Sequence, residues 1–99
     1  MFSHIVIMWT DHDNPAAADE VLDGIKKFLM PIPGLIHISA GKMSASSRDV
    51  VDQSFQVGLN IVFPSKKAQE DYQAHAMHKE FVHTVFKKCV TKVRVYDFE

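Results

Sequence analysis

A single cysteine among 99 residues excludes an intrachain disulfide and any thiolate-rich zinc site. Cys89 lies late in an apolar helical pattern, where a small buried filler is expected. No apolar run reaches the roughly 18–20 residues needed to cross a bilayer. The first residues run straight into a strand-like pattern, without a basic segment, a long apolar stretch and a cleavage site, so a cytoplasmic protein without a membrane partner is expected. Charge of one sign is also missing. Eleven basic and twelve acidic residues leave a formal net charge of −1. That leaves no electrostatic footprint for nucleic acid. The prolines number only four, and each falls at a boundary of the pattern: Pro15, Pro31, Pro33 and Pro64.

What is present suffices for one domain, residues 1–99, with 46% hydrophobic and 23% charged residues. Phe2 to Trp9 reads as a strand apolar on both faces, with Val6 and Met8 on one side, beside His4, and Ile5, Ile7 and Trp9 on the other. Asn14-Pro15 opens a helix whose stripe is Val21, Leu22, Ile25, Phe28 and Leu29, and Pro31 and Pro33 end it. Gly24 weakens that helix wherever it is exposed. Residues 34–43 alternate as a second strand. Lys42 to Asp52 lacks periodicity and reads as a mobile loop, open to a lid role. Ser54 to Phe63 is the cleanest strand, its odd positions apolar. Ser65 caps a second helical pattern that runs to Cys89 with a bend near His75, and Val90 to Phe98 is the fourth strand.

The segment from Asp71 to Phe81 concentrates the chemistry. Tyr72, His75, His78, Val82 and Val85 follow helical spacing along one face. That face would turn a phenol and two imidazoles toward the core, groups that donate, accept or move protons. Strand parity puts Asp97 with Val93 and Val95 beneath the helices. A carboxylate there needs a partner, and His78 is the expected one, within hydrogen-bond reach. Such a pair would make His78 a positioned general base, or serve only as a structural hydrogen bond. His75 and His78 at i,i+3 could enter a metal set with His4, Asp97 or His83. Without a thiolate cluster or a His-Glu-x-x-His motif, no metal and no cofactor are expected.

The order β-α-β-β-α-β is the ferredoxin-like split arrangement, an α+β fold in which two helices cover one face of a four-stranded antiparallel sheet. Right-handed crossovers leave the other face bare. Ile5, Ile7 and Trp9 are too apolar to stay wet, so a homodimer is expected, two sheets face to face in a barrel with helices outside.

The His4-Ile5-Val6 opening, the Ile32-Pro33-Gly34 joint, Gly41 at the end of strand 2, the Tyr72-x-x-His75-x-x-His78-x-x-Phe81 helix and the Tyr96-Asp97-Phe98 terminus resemble the stress-responsive dimeric α/β-barrel (Dabb) family. The resemblance covers nearly the whole chain and implies a homodimer of ferredoxin-like subunits. The Tyr/His helix is similar to that of the family's plant polyketide cyclases, which form olivetolic acid. By that resemblance His78 matches the catalytic base and Tyr72 the phenol that holds substrate, while His4 and His75 match pocket histidines and Asp97 an acid beside the base. Val57 stands where the cyclases have another pocket histidine, Ala76 replaces a proline, and Val21, Leu22, Ile25 and Ala40 replace aromatics. The substrate therefore does not carry over.

Three functions stay open. The first is acid–base chemistry, a cyclisation or lyase step, on a small hydrophobic ligand. Its pocket between sheet and helices would be lined by His4, His75, Val6, Met8, Leu59, Ile61 and Phe81, with Tyr72, His78 and Asp97 as its reacting groups. The second is a non-enzymatic stress-associated dimer. The third, by analogy of fold alone, is an oxygenase.

Overall fold

The computed structural model describes residues 1–99. Strand β1 (Phe2–Thr10) is followed by helix α1 (Pro15–Gly24), which continues through a π-helical turn over Ile25–Leu29. Strands β2 (His37–Lys42) and β3 (Val57–Phe63) come next. Helices α2 (Lys66–Ala74) and α3 (Ala76–Phe81) follow, and α3 runs on through a second π-helical turn, Val82–Phe86, and a last turn at Lys87–Cys89. Strand β4 (Val90–Phe98) closes the chain. The sheet order is β2-β3-β1-β4, with all three pairings antiparallel. This is the ferredoxin-like α+β fold the sequence implies.

The period-two pattern of β1 and β3 sets the core. Phe2, His4, Val6 and Met8 of β1 and Val57, Leu59, Ile61 and Phe63 of β3 are buried under the helices. On the opposite face Ile5, Ile7 and Trp9 are only half-buried in the single chain, and Tyr96 and Phe98 beside them are exposed. An apolar sheet face of this kind marks an interaction surface.

Several expectations need adjustment. Strand β2 begins at His37 rather than Gly34, and β3 at Val57 rather than Ser54. Asn14 sits at the start of α1 without a side-chain capping bond, whereas Ser65 does cap α2, accepting from the Ala68 amide at 3.2 Å. The segment read as a lid is pinned by its own hydrogen bonds. Gln53 bridges to the Ser46 amide and carbonyl, and Asp52 accepts from the backbone and hydroxyl of Ser54. It leads to the far side of the sheet. There Ser54 accepts from the Trp9 indole and Phe55 meets that ring edge-on, while Lys92 lies over it.

Gly24 is buried, not exposed, and its missing side chain is what lets α1 approach α3 and its π turn. A Cβ there would lie 2.9 Å from both Val85 methyl carbons and 3.2 Å from the Phe81 ring. Overpacking of that kind costs about 1–3 kcal/mol, against a gain of about 1 kcal/mol in helix propensity. Gly24→Ala should therefore lower the melting temperature, and adding Val85→Ala should restore part of it. A single variant melting higher than the parent would show that the helices part without strain.

Candidate functional site

A cavity of ≈ 260 Å³ lies between the sheet and the second helical segment. Its floor is Val6 and Met8 of β1, Leu59 of β3, and Val93 and Val95 of β4. Tyr72, His78 and Phe81 form the roof, and His4 reaches in from β1. Each side chain arrives there for a local reason. Tyr72 projects from the exposed helix α2 onto the sheet, almost wholly buried, its ring 5.2 Å from that of Phe63. His78 lies one short break away on α3, its ring edge-on to Tyr72 at 4.8 Å.

The break between them is made by His75. Its backbone turns extended (φ −66°, ψ 142°), ending α2 and starting α3. Its Nδ1 accepts a hydrogen bond from the Met77 amide at 3.1 Å, so the imidazole does the work of an N-cap side chain. His75 is therefore not a cavity residue. It borders a separate shallow recess with Pro33 and Gly34.

Asp97 also departs from expectation. It does sit on the helix-covered side by strand parity, directly across from His4 in the β1–β4 register. Its Oδ1 lies 2.5 Å from His4 Nδ1, so its partner is His4 and not His78. The reason is lateral reach. Strand β4 is an edge strand, only partly covered by helices, which leaves the Asp97 side chain 42% exposed and close to β1, while the His4 side chain is only 8% exposed. Ile61 is another correction: it is fully buried in the core and does not line the cavity. Of the expected lining, His4, Val6, Met8, Leu59 and Phe81 are in place.

Sequence periodicity missed Leu29, Gln73 and Phe86, all of which face the cavity. Phe81 and Phe86 are five apart, which a 3.6-residue period places on different sides. The π turn at Val82–Phe86, with its i→i+5 hydrogen bonding, brings them to the same side. Strand parity alone could have found Val93 and Val95.

The electrostatics divide the two imidazoles. Burial holds the His78 pKa below its ordinary 6.5, and the neighbouring His4 pushes it the same way. Burial raises the Tyr72 phenol, which stays protonated. At neutral pH the cavity thus holds an uncharged imidazole with a free lone pair and a phenol able to donate. Beside them stands an imidazole held by a carboxylate. No group of three or more His, Cys, Asp or Glu side chains is disposed to hold a metal ion.

The model of the stress responsive A/B barrel domain family matches residues 2–99, and the chain belongs to that family. No curated protein matches it. Among solved structures, a Dabb family protein of ferredoxin-like fold from Mesorhizobium loti is 22% identical. It superposes with a TM-score of 0.80 over 99% of this chain and 94% of that one. A protein of unknown function from Thermobifida fusca, described as dimeric and ferredoxin-like, is 16% identical, with a TM-score of 0.76 over 98% of this chain and 88% of its own. A hydroxynitrile lyase from Passiflora edulis is 15% identical, with a TM-score of 0.78 over 98% of this chain and 90% of its own. No helix is long and apolar enough to cross a membrane.

The lowered His78 pKa has a stability consequence with a definite sign. The unfolded chain takes up a proton on His78 near pH 6.5, whereas the folded chain resists until lower pH. The stability due to neutral His78 is complete above that value and is lost as pH falls below it. Urea unfolding of His78→Gln should show a flatter decline of stability than the parent between about pH 6.5 and 5. Identical slopes would mean that His78 titrates as if in water.

Proposed function

We propose that the cavity is a general acid–base site for carbon acids, performing proton abstraction next to a carbonyl in a cyclisation or lyase step. The observation that carries this reading is the neutral His78 imidazole packed edge-on against Tyr72 in an apolar chamber. His78 takes a proton from the carbon beside the substrate carbonyl, and the developing enolate oxygen accepts a hydrogen bond from the Tyr72 hydroxyl. The carbon nucleophile then adds to a second carbonyl, and the resulting alkoxide takes the proton back from the imidazolium. In the lyase direction His78 takes the β-hydroxyl proton, the carbon–carbon bond breaks to leave a new carbonyl and an enolate, and the imidazolium protonates the enolate carbon. His4, anchored by Asp97, supplies a second polar edge that orients the ligand. The occurrence of a hydroxynitrile lyase on the same fold is in keeping with carbon–carbon bond chemistry.

The volume limits the ligand. At ~30 Å³ per water the cavity has room for about eight or nine water volumes, a single ring with a short substituent. Acetophenone fits that description. In D₂O the protein should catalyse exchange of its methyl protons, followed by proton NMR. His78→Ala should lower that rate by about 10²–10⁴-fold, and Tyr72→Phe by about 10²–10³-fold, while both variants stay folded. Binding of acetophenone without exchange above buffer would leave a ligand pocket and remove the base.

We also infer that the protein is a homodimer joined through the open sheet face. Its support is the half-buried row Ile5, Ile7 and Trp9 in a chain whose fold relatives include proteins described as dimeric. Light scattering at micromolar concentration should give twice the chain mass, and Ile7→Lys should shift it to the monomer. A parent protein that scatters as a monomer would reject the face-to-face pairing.

A further inference from the structure

His78 stands in two walls at once. Besides lining the cavity it borders, with Val82, an open outer groove of ≈ 520 Å³. The groove runs along α3 and its π turn and carries Lys79, His83 and Lys87, four residues apart. Residues at that spacing share one side of a helix. Glu80 is the one acid in the lining. The ion pairs of the surface engage Lys42, Lys67 and Lys88, and leave Lys79 and Lys87 without a carboxylate partner. Two unpaired ammonium groups and an imidazole therefore share the groove with His78, while the cavity on its other side is mostly apolar.

This arrangement divides a ligand into two parts. An apolar body in the chamber would meet His78 with its reacting carbon, and a group extending past that carbon would reach the groove. We propose that the groove is a subsite for an anionic group, so that the substrate class is a small apolar ketone bearing a carboxylate or phosphate beyond its reacting carbon. The proposal rests on the acid–base reading of the cavity and adds the charge of the substrate to it. Lys79 and Lys87 supply the attraction, and His83 between them a hydrogen-bond donor. Because the groove is wet, the effect is moderate and screened by salt.

The test compares two ligands of nearly equal shape. Both 3-benzoylpropionate and butyrophenone present a phenyl ketone with the same reacting methylene, and only the first carries a carboxylate beyond it. Their Kd values, from NMR titration at low ionic strength, should differ by about three- to ten-fold in favour of the acid. Raising the salt to about 0.5 M should erase most of the difference. In Lys79→Gln/Lys87→Gln the Kd of the acid should rise to that of butyrophenone. Lys26→Gln, which removes an exposed cation on α1's π turn, should leave the preference as it is. Equal affinities in the parent, or a preference that survives the double substitution, would overturn the proposal. Methylene exchange in D₂O is read in the same samples. Discrimination without exchange keeps the anion subsite and discards the base, whereas exchange without discrimination does the reverse.

Discussion

Strand β1 is apolar on both faces, and that constraint organises the rest of the molecule. A strand of this kind is stable only in the interior of a sheet, and β1 is paired on both sides, with β3 and with β4. Its alternate residues then divide the chain's surroundings. Val6 and Met8 turn toward the helices and become the cavity floor, while Ile5, Ile7 and Trp9 face outward onto a sheet surface that no helix of this chain covers. The intrachain cover for that outer row is partial and local to Trp9, where Phe55, Ser54 and Lys92 gather. The same pairing fixes His4 opposite Asp97. Fold, bare apolar sheet face and charge arrangement of the site thus follow from one strand's register, and a one-residue slip would exchange all three.

The helical side is shaped by departures from regular geometry. In a continuous helix from Lys66 to Cys89, Tyr72 and His78 would stand about 9 Å apart along the axis. The extended backbone at His75 resets the direction, and its imidazole satisfies the Met77 amide that the break exposes. Further on, the π turn widens the helix where it passes the cavity and rotates Phe86 into the wall. A matching π turn in the first helical segment ends at Leu29, which lines the chamber from the other side. Such turns are less favourable than regular helix and are found often at functional sites. Here they open space between helix and sheet that tighter winding would fill.

Much of this was legible in the residues because period two and period 3.6 are strong signals. The alternation in β3, the double-sided apolar β1 and the Tyr72–His78 spacing sufficed for the topology and for the helix that roofs the cavity. Other features were not legible, for physical reasons. Parity says which face Asp97 occupies but not how far the helices extend sideways, so it points to His78 where the neighbouring strand offers His4 at 2.5 Å. His75 and His78 look alike in sequence, yet a backbone break makes one a cap and the other a cavity residue. Ile61 and Leu59 share a face, but only Leu59 lies under the chamber, and the difference depends on where the helices stand off the sheet. Gly24 reads as a weak helix residue and is instead the contact point of two helices.

One carboxylate for two imidazoles decides the chemistry the chamber can support. Asp97 stands beside only one of the two imidazoles. Its register partner His4 has the claim, which leaves His78 without a counter-ion and favours its neutral form. Had Asp97 paired with His78, as the sequence invites, His78 would be drawn toward the charged form and its lone pair would be less available near neutral pH. The observed pairing does the opposite. It places the carboxylate-bound imidazole of His4 on the sheet and leaves His78 on the helix beside Tyr72, where the proposed reaction needs a base. In the proposed reaction a proton taken up by His78 would meet no carboxylate to trap it, so returning it to the product would be easy. That balance suits a reversible proton transfer better than a permanent ion pair, and it follows from the position of β4 at the sheet edge.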